Sequence, residues 1–159
     1  MRNSLSVDAS IWLVHQITQT AMFRDDFRRI ARLRLREARE LLRIGCYSGA
    51  YYLAGFAVEC GLKASIASQR KRCEFPPDVN AVRKIYTHNL EDLVNSAGLK
   101  PSLLAEQAAS ARFKDNWTTV KDWDVFKRYQ TIPKPHAKDL YSAITARTHG
   151  VMRWIRQHW

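Results

Sequence analysis

The sequence predicts an all-α domain, an up-and-down bundle of four to five helices. Three observations predict it. Glycine and proline are scarce, at 6 and 5 in 159 residues, which argues against a turn-rich β architecture. Apolar residues recur at three- and four-residue intervals over long stretches, the spacing of a helix face. Hydrophobic residues make up 46% of the chain, enough for a core at this length. No credible strand and no internal repeat is present.

Residues 1–22 stand apart. Ile11, Val14, Ile17 and Ala21 fall on one side of a short helix, so this segment reads as an N-terminal arm, and the helical domain proper covers 23–159. The first long helix is predicted from Asp25-Asp26, whose carboxylates suit a helix N-terminus. It runs to Gly45, a residue suited to end a helix. Phe27, Ile30, Ala31, Ala38, Leu41 and Leu42 share one broad arc at 100° per residue. Arg28, Arg32, Arg36, Arg39 and Arg43 form a second arc, a stripe of arginines expected to lie exposed. Arg34 falls inside the apolar arc, where a buried guanidinium needs a partner.

The second long helix is predicted from Ser48 to Gln69. Its centre, Ala50 to Val58, is apolar on nearly every face and belongs in the middle of a bundle. Small residues at Gly49, Ala54, Ala57, Gly61 and Ala64 allow neighbouring helices to approach closely. Glu59 and Lys63 are spaced i,i+4 and predict an ion pair. Glu59 is also the obvious partner for Arg34, so Arg34 and Glu59 are expected to face each other as a structural polar pair.

Residues 70–87 read as a loop around Pro76-Pro77. A short helix is predicted from His88 or Asn89 to Ser96, ended by Gly98. Pro101 suits the first turn of another helix, reaching Phe113. Asn116 is expected to cap a further turn or two through Trp123. Residues 128–135 are irregular. The last long helix spans Pro135 to Arg147, and Gly150 separates it from a segment at 151–159.

The net charge is +11, from 26 Lys+Arg against 15 Asp+Glu. Such a surplus attracts a nucleic acid, a nucleotide or an acidic protein. The three cysteines, Cys46, Cys60 and Cys73, form no C-x-x-C pair, so neither a zinc site nor any other metal or cofactor is predicted. Cys46 and Cys60 flank or sit in the apolar segment and read as small buried hydrophobes. A reducing, cytoplasmic compartment is expected. No membrane span is predicted, since Glu59 and Lys63 interrupt the longest apolar stretch. The N-terminus does not read as a secretory leader, since Asp8 precedes an apolar patch that is too short.

The run Arg34-Leu35-Arg36-Glu37-Ala38, Leu41-Leu42, then Tyr47 to Ala64, resembles the HEPN family. Tyr86-Thr87-His88-Asn89-Leu90 with Leu93, then Trp123 with Arg128-Tyr129, and finally Gly150-Val151 with Trp154-Ile155 extend the resemblance over about Arg24 to Trp159. It implies a helical bundle, often a homodimer, from prokaryotic RNA or nucleotide metabolism. Some members are metal-independent ribonucleases, often toxins or defence proteins, with Arg, four to six residues, then His near the start of the last helix. Others bind RNA or a nucleotide, or partner a minimal nucleotidyltransferase.

Two segments match Arg-x4-His: Arg83 to His88 and Arg153 to His158. With 17 Arg in 159 positions and five His, about 1.6 such matches arise by chance from composition alone. The matches therefore carry no weight by number. Their positions are also wrong for the family's catalytic motif, near which stand Arg128, His136, Arg147 and His149 at other spacings. Arg83 and His88 remain the weak catalytic candidates, and His88 also suits a structural role beside the third helix. Trp117, Trp123 and Tyr129, with Arg128, are candidates for stacking unpaired bases, although aromatics at helix ends also serve as core plugs.

The reading with most support is an RNA- or nucleotide-binding module using Arg28, Arg32, Arg36, Arg39, Arg43 and Arg128, in a toxin–antitoxin or defence setting that the resemblance implies. A metal-independent endoribonuclease and a protein-binding subunit beside a nucleotidyltransferase are the alternatives.

Overall fold

A computed structural model describes residues 24–69 and 86–159. The predicted arm at 1–22, Cys73 and Arg83 lie outside the described residues. Among the described residues the protein is all-helical, with seven α-helices and one 3-10 turn and no strand. They are α1 (Arg24–Arg43), α2 (Tyr47–Ser68), α3 (Leu90–Ser96), α4 (Lys100–Ala109), α5 (Ala111–Lys121), the 3-10 turn (Val125–Tyr129), α6 (Lys134–Thr145) and α7 (Val151–Ile155).

Helices α1 and α2 form an antiparallel hairpin. Gly45 closes it at φ 83°, a left-handed conformation that glycine adopts without penalty. Cys46 N–H donates to Leu41 O at 2.8 Å and Gly45 N–H to Leu42 O at 3.3 Å, which satisfies the last carbonyls of α1. Gly49 packs on Leu41 near the turn. At the far end Phe27 and Ala31 cluster with Cys60 and Ala64.

Helix α2 is the central element, packed against α1, α3, α6, α7 and the 3-10 turn. Its buried positions run from Ala50 to Ile66 and lie on every face, as an apolar helix with no polar stripe requires. The close approaches fall at small residues. A Cβ on Gly55 would sit 2.3 Å from the Trp123 indole, and one on Gly61 would sit 3.0 Å from Ile155. The main core joins α2 to Leu93, Phe113, Trp117, Leu140, Ile144 and Trp154.

Downstream, the predicted helix to Phe113 is two helices. Ser110 interrupts it: its φ of −144° is extended, and its hydroxyl accepts from Phe113 N–H at 3.1 Å as the cap of α5. Asn116 is therefore not a cap. It lies within α5 and its amide donates to His149 O at 2.7 Å. Asn89 caps α3 by accepting from Asp92 N–H. Residues 125–129 form a 3-10 turn, whose last two residues fall in the stretch expected to be irregular.

The apolar C-terminal segment is spent internally, since Val151, Met152, Trp154 and Ile155 are all buried in the same core. No helix among the described residues is long and apolar enough to cross a membrane.

Candidate nucleic-acid interface

Helix α1 buries Phe27, Ala31, Leu35 and Ala38 against the bundle. The next arc around the helix carries arginines. Where α1 meets α6 this arc forms one wall of an open groove of about 530 Å³, lined by Arg29, Arg32, Leu35, Arg36, Arg39, Tyr141, Thr145 and Arg156. Five of these eight residues are arginines and none is acidic. Helix α6 supplies Tyr141 and Thr145 opposite them, and the chain after α7 supplies Arg156. Burial and the nearby Glu40 carboxylate push the Tyr141 hydroxyl pKa up, against the pull of Arg39. It therefore stays a neutral donor at physiological pH.

Each acid of α1 engages an arginine of the same helix, Glu37 with Arg34 in its interior. Asp25 pairs with Arg24 and Arg28, and Glu40 pairs with Arg39 at 3.3 Å and Arg43 at 3.0 Å. The two guanidinium groups, Arg43 above all, hold the exposed Glu40 carboxyl below its ordinary pKa. Asp26 stands 3.6 Å from Arg29. Arg32, Arg36 and Arg156 make no ion pair among the described residues. All three line the groove or its neighbouring ring.

Two arginines that line the groove, Arg32 and Arg156, also lie over the ring of Trp159. Arg32, Arg28 and Arg156 place their guanidinium carbons 5.5, 5.8 and 5.9 Å from the centroid of its ring. The other face of this side chain packs on the bundle near Gly61 and Ile30. The ring thus ties two arginines of α1 to one from the chain's end by cation–π attraction.

The predicted stripe and the observed groove coincide in Arg32, Arg36 and Arg39. Arg28 is half-buried over Trp159 and is not part of the exposed stripe. Arg43 lies beyond the groove, held by Glu40. Arg29 and Arg156 belong to the groove and were not expected. Arg29 was visible on the helical wheel, three residues before Arg32. Arg156 becomes visible only when the C-terminal segment is folded back.

The expected Arg34–Glu59 pair does not form. Arg34 donates to Glu37 at 2.5 Å, on its own helix, and its side chain is 32% exposed. The buried arc of α1 is centred on Phe27, Ala31, Leu35 and Ala38, which leaves Arg34 roughly 50° away at the arc's edge. Glu59 is 1% exposed and accepts from Lys63 Nζ at 2.7 Å, with His88 Nδ1 at 3.0 Å from the same oxygen. The i,i+4 ion pair is therefore present, and His88 joins it from the loop before α3.

The other His pairings are separate. Arg153 donates to Thr148 O at 3.2 Å, whereas His158 Nε2 stands 3.1 Å from Ser102 Oγ. That Arg-x4-His match does not converge. His149 Nδ1 stands 3.0 Å from Ser110 Oγ. Trp117 and Trp123 are buried core plugs, but Tyr129 is 74% exposed. Arg128 stands 4.8 Å from the centre of the Tyr129 ring. Cys60 is buried, and burial together with the Glu59 charge pushes its thiol up to about 12. Cys46 is exposed, contrary to expectation, because it sits in the hairpin turn. No group of three His, Cys, Asp or Glu among the described residues could hold a metal ion.

No family model, curated protein or solved structure matches the chain. The groove must accordingly be read from its own chemistry. It concentrates planar, permanently charged forks that suit phosphate oxygens. Tyr141 and Thr145 add hydroxyl groups on the opposite wall.

Proposed function

We propose that the protein is a HEPN-like helical module that binds RNA, with its arginine groove engaging the phosphate backbone. The toxin–antitoxin or defence setting comes from the resemblance alone. One observation carries the binding reading: five arginines and no acid line a single open groove, in a chain with a net charge of +11. A merely solvated charge face interleaves acids with bases. Here Asp26, Glu37 and Glu40 pair with Arg29, Arg34 and Arg39, but Arg32 and Arg36 make no ion pair among the described residues.

Charge reversal at Arg32 and Arg36 tests it. Both side chains are exposed, so the helix survives the change. Arg32→Glu with Arg36→Glu weakens RNA binding by roughly tenfold or more in a fluorescence-anisotropy titration. Equal affinity in the double variant and the parent means that the groove does not hold the RNA.

A further inference from the structure

The turn after α5 carries a second feature that the groove does not use. Phe126 and Tyr129 are 66% and 74% exposed, two large rings on one five-residue turn. Both are more exposed than any other aromatic ring of the described residues except Tyr86. The turn that bears them is firmly held. Asp124 Oδ1 accepts from Phe126 N–H at 2.7 Å. Beneath the turn, Trp123 lies on Gly55 and its ring centre is 5.8 Å from that of Tyr52. Arg128 stands 4.8 Å from the centre of the Tyr129 ring, and Tyr129 first, then Tyr52, push its pKa up. The rings therefore stand on a pre-set support, and Lys127 and Arg128 flank them with positive charge.

From this juxtaposition of two exposed rings with basic neighbours we infer that Phe126 and Tyr129 are a stacking platform for unpaired bases, so that the RNA held by the groove is single-stranded. The inference rests on the RNA-binding reading above and adds the class of RNA. Helix α6 links the two features. Lys134 at its start stands over the Tyr47 ring at 5.9 Å, five residues after Tyr129. Tyr141 and Thr145 near its end line the groove. The helix rises about 10 Å between Lys134 and Tyr141, so its two ends bring the turn's end of the chain and the groove onto one element. A duplex presents its phosphates to the groove but keeps its base faces inside the stack. Only an unpaired strand offers both phosphates and free faces. Lys127 and Arg128 on the turn favour this occupant over an apolar protein surface, while Asp122 just before it is paired with Lys121 at 3.7 Å.

The test uses a fluorescein-labelled, unstructured 12-nucleotide RNA and a duplex of the same length. The full chain is compared with Phe126→Ala/Tyr129→Ala, with Phe126→Leu/Tyr129→Leu and with Arg32→Glu/Arg36→Glu. The account expects the parent to prefer the single strand. Both ring-deletion variants should lose about fivefold or more in affinity for it while binding the duplex as before. The arginine variant should weaken on both RNAs. Unchanged single-strand affinity in the alanine variant, full retention in the leucine variant, or a parent that binds duplex as tightly as single strand would each overturn the platform and leave the groove reading standing. A parent that binds neither RNA would overturn both.

Discussion

Arg32 stands 5.5 Å over the centre of the Trp159 ring, and Arg28 and Arg156 share the same ring. One indole therefore gathers three positive charges that would otherwise repel one another. A cation over an exposed aromatic face contributes about 0.5–1 kcal/mol. Trp159→Leu keeps apolar bulk against Gly61 but removes the face. It is expected to lower RNA affinity about two- to fivefold, with the melting temperature changed far less than by a core truncation. Affinity equal to the parent's would mean that the ring does not organise the groove.

The Glu59–Lys63 pair is buried, with side chains 1% and 11% exposed. Removing one partner leaves a buried charge without its counter-ion, which typically costs about 3–5 kcal/mol. Lys63→Met is expected to destabilise the fold by about that amount in a urea titration, partly relieved by His88. Adding Glu59→Leu to it should restore part of the loss, because the second charge then leaves as well. Strictly additive losses in the double variant would show that the two side chains act independently.

His158 gives the stability a pH dependence. Burial disfavours its imidazolium, so its pKa in the fold lies below the ordinary 6.5. In the unfolded chain the ring takes its proton at the ordinary value. Between the folded and unfolded pKa the unfolded state binds more protons, and stability falls as the pH drops below about 6.5. Above that pH the contribution is fully present. Melting curves at pH 7.5 and 5.5 should show a larger drop for the parent than for His158→Gln. Identical drops would mean that His158 is not held neutral by the fold.

The hairpin was legible in the sequence because its determinants are local. Asp25-Asp26, the apolar arc of α1 and Gly45 each act within a turn or two of chain. The central place of α2 followed from its lack of a polar face. The break at Ser110 was missed because Ala108-Ala109-Ser110-Ala111 fits a continuous helix. Only the hydrogen bond from Phe113 N–H shows that Ser110 caps a new one. Arg34 was misplaced for a related reason. The apolar arc of α1 is broad, and sequence alone gives too little weight to Leu35, whose burial rotates the buried face away from Arg34. The groove was half legible, since Arg32, Arg36 and Arg39 lie on one helix. Arg156 and Tyr141 reach it through tertiary folding, and no spacing announces them. Phe126 passed unremarked because a buried and an exposed aromatic look alike in a sequence.

Salt dependence tests the groove most directly. Each phosphate contact on a single strand contributes about −0.7 to the slope of log affinity against log salt concentration. Three to five arginine contacts predict a parent slope between about −2 and −3.5. Arg32→Glu/Arg36→Glu should flatten that slope by about 1.4 while the helical circular dichroism spectrum stays that of the parent. A parent slope near zero, or the same slope in parent and variant, would contradict an RNA backbone seated on these arginines.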